Sequence, residues 1–86
     1  MHVTVISPEA SIFDGEADAV IAPAYDGSLG VLPRHAPMMT LLGAGELSVR
    51  HGDRTRRFQV RGGFLQVVHD RVRVVAEHVQ ENSSDA

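Results

Sequence analysis

A chain of 86 residues with a formal charge of −3 makes one small domain, and its 43% hydrophobic content supplies a single core. With no cysteine it carries neither a disulfide nor a thiolate metal site, so packing alone must hold the fold. The charge balance argues against a general nucleic-acid binder, and no apolar run approaches the ~20 residues of a membrane span. Met1-His2-Val3-Thr4 lacks the basic and apolar regions of a signal peptide, which points to a soluble cytoplasmic domain.

In chain order, His2-Val3-Thr4-Val5-Ile6 is β-branched, alternates around Val3 and Val5, and reads as a first strand stopped by Ser7-Pro8. Ser11-Ile12-Phe13 reads as a short strand before a turn at Asp14-Gly15. Strand character in Ala17–Ala22 is strongest at Val20-Ile21 and ends at Pro23. Asp26-Gly27 is a tight-turn pair, because glycine accepts positive φ freely. Pro33 and Pro37 fix φ and donate no backbone N–H, so Leu32–Pro37 is neither a central strand nor a helix. The stretch Asp26–Thr40 therefore reads as a rigid, proline-framed loop, either a structural corner or a binding surface. Met38-Met39-Thr40-Leu41-Leu42 is short and β-tolerant, and Gly43-Ala44-Gly45 closes it.

From Gly45 the period-2 signal sharpens. Leu47 and Val49 alternate with polar residues, His51-Gly52-Asp53 turns the chain, and Phe58 and Val60 oppose Arg57, Gln59 and Arg61. Gly62-Gly63 breaks that run. Phe64–Val68 and Val72–Ala76 then pair through His69-Asp70-Arg71 as the most buried hairpin. The boundaries expected are a β domain over 1–77 and a polar, frayed tail over 78–86. Short strands with turns about every 10 residues give an all-β fold, a flattened sandwich or barrel of about ten mostly antiparallel strands.

Catalytic material is thin. His2, His35, His51, His69 and His78 lie on different segments, and none has a second histidine at helical spacing. His35, Asp26 and Ser28 supply the residue types of a hydrolase triad, without a G-x-S-x-G elbow. Gly27-Ser28-Leu29-Gly30 lacks the lysine of a phosphate loop. Arg54, Arg56, Arg57 and Arg61 around Phe58 read as a solvated face, a protein contact, or the basic strand of an oligonucleotide-binding barrel. No cofactor or metal site is expected.

The succession Ile6-Ser7-Pro8-Glu9, Phe13-Asp14-Gly15, Gly27-Ser28-Leu29-Gly30-Val31-Leu32-Pro33, His35-Ala36-Pro37 and Arg61-Gly62-Gly63-Phe64-Leu65 resembles the epsilon subunit of F-type ATP synthases, from about Val3 to Ala76. That resemblance implies an N-terminal β-sandwich at the foot of a central stalk, binding gamma and the c-ring and coupling ion-driven rotation to the catalytic alpha/beta head through gamma. It implies no chemistry of the domain's own and a peripheral position on the cytoplasmic face of the inner membrane. By position, Asp26, Gly27, Ser28, Leu29 and Gly30 are expected to face the ring. Ser7, His35 and Thr40 match family positions facing gamma, with Met38, Met39, Leu41 and Leu42 adding apolar contact. Many relatives carry an acid where this chain has Ser28. The C-terminal helical hairpin of longer relatives, with its inhibitory extension and nucleotide site, has no counterpart here, so ATP binding is not expected. The competing reading is an independent β-barrel that binds oligonucleotides or carbohydrate.

Overall fold

A computed structural model describes residues 1–82. These residues form eight strands and no helix: β1 (His2–Ile6), β2 (Ser11–Glu16), β3 (Ala19–Ala24), β4 (Gly27–Val31), β5 (Met38–Leu41), β6 (Gly45–His51), β7 (Arg54–Val68) and β8 (Arg71–Glu81). Their order is β2-β1-β8-β7-β6-β3-β4, with β5 also on β7. All pairings are antiparallel except β1 with β8.

The long strands β7 and β8 belong to two layers at once. One half of β7 pairs with β6 over Arg54–Val60, and the other with β5 over Phe64–Val67. The first layer is therefore β2-β1-β8-β7-β5, and the second is β4-β3-β6-β7-β8. Phe13 on β2 meets Phe58 on β7 edge-on across the gap, with ring centres 6.0 Å apart. The core between the layers is built from Val3, Val5, Val20, Ala22, Val31, Leu47, Val49, Phe58, Val60, Leu65, Val67, Val72 and Val74. The domain is the flattened β-sandwich that the turn spacing implied, with eight strands where about ten were expected.

The glycine pair explains part of that difference. Side chains along a regular strand alternate between faces, yet the buried residues of β7 change from even (Phe58, Val60) to odd (Leu65, Val67). Gly62 at φ 72° and Gly63 at φ 116° turn the strand over without ending it. A side chain at Gly63 would collide with the Val75 carbonyl oxygen, so β8 lies directly against this backbone. Gly62-Gly63 is thus a change of phase inside one strand, not the break read from the sequence.

Three further expectations change. Asp14-Gly15 is no turn: both residues lie in β2, paired with Thr4 and Val3. Gly27–Gly30 is strand β4, and only Tyr25-Asp26 forms the hairpin tip, so the rigid loop shrinks to Leu32–Pro37. The polar tail begins later than residue 78, because His78–Glu81 continue β8 in register with Phe58–Arg61. The rest of that tail, residues 83–86, lies outside the described residues.

Arg56 closes the open end of the sandwich. It shares the inward face of β7 with Phe58, and its guanidinium lies 5.0 Å from the Phe13 ring centre and 5.7 Å from that of Phe58. Two charge-assisted hydrogen bonds of 2.7 Å run from it to the Glu81 carboxylate. Bonding to Arg56 holds the Glu81 carboxyl below its ordinary range, and the same bond raises the guanidinium. Of the arginines read as one solvated face, Arg56 is therefore a structural clamp.

Candidate functional site

The outward face of the first layer is set by register. Ile6 pairs with Val75, Val75 with Phe64, and Phe64 with Leu41, which lays four apolar side chains in one row across β1, β8, β7 and β5. The next outward row is Thr4, Arg73, Gln66 and Met39. Met39 and Leu41 are 62% and 63% exposed, the largest apolar exposures on this layer. The polar row thus ends in Met39 and the apolar row in Leu41, two exposed long side chains side by side.

The period of 2 divides the residues that the sequence grouped. Met38 and Thr40 pair with Val67 and Leu65 and point inward, and Met38 packs on the core. Leu42 is only 7% exposed, because Ala24 of β3 bridges to it and its N–H donates to the Gly63 carbonyl. It supports the face from within. Ser7 is also 7% exposed; its hydroxyl oxygen accepts from the Ala10 N–H and lies 3.3 Å from both the Glu9 carboxylate and the Ala10 carbonyl, either of which can take its one proton, in the turn after β1. His35 lies in the Leu32–Pro37 loop, with Nδ1 2.8 Å from the Ala36 carbonyl oxygen. Ser7 is level with Leu42, whereas His35 precedes the start of β5, so the two occupy opposite ends of this layer.

Asp26 sits at the β3–β4 tip, and Gly27, Ser28, Leu29 and Gly30 run along β4 at the rim of the second layer. Leu29 leans on the core, while the other four are exposed. Tyr25, 71% exposed at the same tip, was missed by sequence reasoning. Its N–H donates to the Leu41 carbonyl at 3.3 Å, joining the tip to the apolar row. The available signal was its place as the only tyrosine, directly before the Asp26-Gly27 turn pair.

The His35, Asp26 and Ser28 set does not converge: no hydrogen bond joins His35 to either residue among the described contacts. His2 instead lies between the carboxylates of Asp14 and Glu16 at the edge of the first layer. No helix among the described residues is long and apolar enough to cross a membrane.

The described residues thus form an all-β sandwich with a row of apolar side chains on one outer face and an exposed β3–β4 hairpin tip. The family model described as "ATP synthase, Delta/Epsilon chain, beta-sandwich domain" matches residues 1–82, and the chain belongs to that family. It is 41% identical over 81 residues to the ATP synthase epsilon chain of Caulobacter vibrioides, covering 94% of each. It is 47% identical to that of Acidithiobacillus ferridurans and 38% identical to that of Leptospira borgpetersenii, covering 93% and 91% of this chain. Against those two relatives it spans about three fifths of their length, 57% and 61%. A chain in the Euglena gracilis mitochondrial ATP synthase structure (OSCP/F1/c-ring) shares the fold at TM-score 0.85 and 23% identity, over 92% of this chain and 51% of that one. One in the Tetrahymena thermophila central stalk/c-ring structure does so at TM-score 0.77 and 20% identity, over 93% and 65%. These relatives do not favour the reading as an independent oligonucleotide- or carbohydrate-binding barrel.

Proposed function

We propose that this chain is a non-catalytic central-stalk subunit of an F-type ATP synthase, joining gamma to the c-ring and helping couple ion-driven rotation to ATP synthesis. The observation that carries this reading is the outward row Ile6–Val75–Phe64–Leu41 with Met39 beside it, a flat face suited to a protein partner. A contact that transmits torque needs broad, packed area more than one strong pair. Gamma takes this face, with His35 at one end and the Ser7 turn at the other, while Met38, Thr40 and Leu42 brace it from below. The tip and strand Asp26–Gly30 meet the ring, and Tyr25 stands where the two contacts adjoin. The alpha/beta head is reached only through gamma. The domain binds no ATP and lies peripherally on the cytoplasmic side of the inner membrane.

Coexpression with the gamma subunit of the same organism tests this directly. The expected result is a complex that copurifies and tolerates raised salt, since apolar contact dominates the face. Absence of association at near-physiological salt would overturn the assignment.

A further inference from the structure

Beside the apolar row, the outward face of the first layer carries two arginines. Strand β8 buries Val72 and Val74, so Arg71 and Arg73 stand outward next to Val75. Register places Arg73 between Thr4 and Gln66, and Arg71 between His2 and Val68. Two positions along a strand separate them by about 7 Å. Both line a shallow groove of about 470 Å³ on this face.

Neither guanidinium has an ion-pair partner among the described residues. The carboxylates nearest in the fold are engaged elsewhere. Asp14 and Glu16, outward on β2, lie 2.5 and 3.2 Å from the two ring nitrogens of His2. Asp70 accepts the Arg34 N–H at 2.9 Å. The contrast is with Arg56, which spends its charge on Glu81, and Arg57, 3.7 Å from Glu46.

We propose that Arg71 and Arg73 receive an acidic cluster on gamma and so fix the register in which gamma lies on this face. The inference rests on the reading of the apolar row as the gamma contact. A stable contact covers about 800 Å² of each partner, and Arg73 lies about 7 Å, one row, from Val75. A partner seated on Ile6–Val75–Phe64–Leu41 therefore covers Arg73 as well. An arginine covered without an acceptor is costly, and with its neighbouring acids engaged this chain leaves the partner to bring the carboxylate. The guanidinium fork suits that role, because it meets a carboxylate through two parallel hydrogen bonds. Apolar side chains in a flat row tolerate sliding; paired charges do not. The same face also argues against other anionic partners. Asp14 and Glu16 stand outward two strands from the arginines, so acids and arginines balance and a polyanion or an anionic bilayer gains no net attraction. Carboxylates set in a shaped protein surface can meet the arginines and avoid the acids.

Calorimetric titration of the 86-residue chain with the gamma subunit of the same organism tests this. The double variant Arg71→Glu with Arg73→Glu is expected to bind gamma ~10-fold or more weakly than the parent chain. Its melting temperature should be unchanged, because both side chains are exposed. Acidic surface residues of gamma are then changed to lysine one at a time. At least one such change is expected to restore binding to the double variant while weakening it to the parent, the reciprocal signature of a direct pair. If the double variant fails to fold, Arg73→Glu alone decides. Equal binding by parent and variant overturns the inference and leaves the rotor reading standing, and so does a loss that no gamma change restores. A parent chain that binds no gamma overturns both. Vesicles of anionic phospholipid that bind the parent but not the variant would put a lipid phosphate in place of the protein carboxylate, and overturn it too.

Discussion

The backbone N–H of Arg34 donates to the Asp70 carboxylate at 2.9 Å, tying the Leu32–Pro37 loop to the β7–β8 turn 36 residues away. Arg34 holds a left-handed φ of 68°, as do His69 and Asp70 at 50° and 61°, so one hydrogen bond locks two strained turns together. Asp70→Ala is expected to loosen the loop that presents His35, weakening gamma binding several-fold while costing about 1 kcal/mol or less of stability. Asp70→Asn keeps the acceptor oxygen and tolerates the left-handed backbone, so it should restore binding. Titrating gamma against both variants checks this; equal loss in the two would point to charge instead of the acceptor.

The Arg56–Glu81 clamp carries a pH signature. The Glu81 carboxyl is held below its ordinary range by the Arg56 hydrogen bond, so its stabilising contribution is present above the unfolded-state carboxylate pKa. It is lost as pH falls through the lower folded-state value. Both side chains are more than a third exposed, and solvent screening keeps the pair within about 1 kcal/mol. Glu81→Gln should therefore lower thermal stability slightly at pH 7 and narrow its gap to the parent chain in acid, measured by melting from pH 7 to pH 3. Arg56→Ala should cost more at every pH, because it also uncovers Phe13 and Phe58.

Gly63 offers a sharper contrast. Gly63→Ala imposes a left-handed strain and drives a methyl group into the β8 backbone, for an expected loss of about 3 kcal/mol. Gly30→Ala meets open space and should stay within roughly 0.5 kcal/mol. Chemical denaturation of the two variants measures the difference.

Met39→Glu and Leu41→Glu test the docking face by opposing its desolvation. Each should weaken gamma association by ~10-fold or more, the effect of burying an uncompensated charge, with little change in melting temperature because both side chains are already exposed. Thr40→Val, on the inward side of the same strand, should leave the association close to that of the parent chain.

What the sequence displayed well was local and periodic. Phe58 and Val60 alternate with arginine and glutamine, and both are buried as the alternation required. Pro33 and Pro37 mark the loop that forms. What it concealed depends on distant partners. Met38–Leu42 is apolar at four of its five positions, so no alternation separates Met39 from Met38, and only pairing with β7 and the bridge from Ala24 decides which side chains emerge. Asp14-Gly15 has turn composition, yet its pairing with β1 makes it strand. His78–Glu81 reads as polar tail until Phe58 and Val60 are seen opposite, with Arg56 reaching across to Glu81. Edge status is equally non-local: nothing within Gly27–Val31 announces that it ends the sheet.

The single strand running from Arg54 to Val68 also has a mechanical meaning. Two layers held only by side-chain contact can slip past one another under shear, because each contact is weak and replaceable. Here β7 passes from one layer into the other at Gly62-Gly63, and β8 follows it in the same register on both sides of an unpaired Gly62. A push on the Leu41 face therefore passes along the β7 backbone into the second layer and reaches Ser28 through the β7–β6, β6–β3 and β3–β4 ladders. The domain behaves as a washer cut from one piece, stiff between its two outer surfaces.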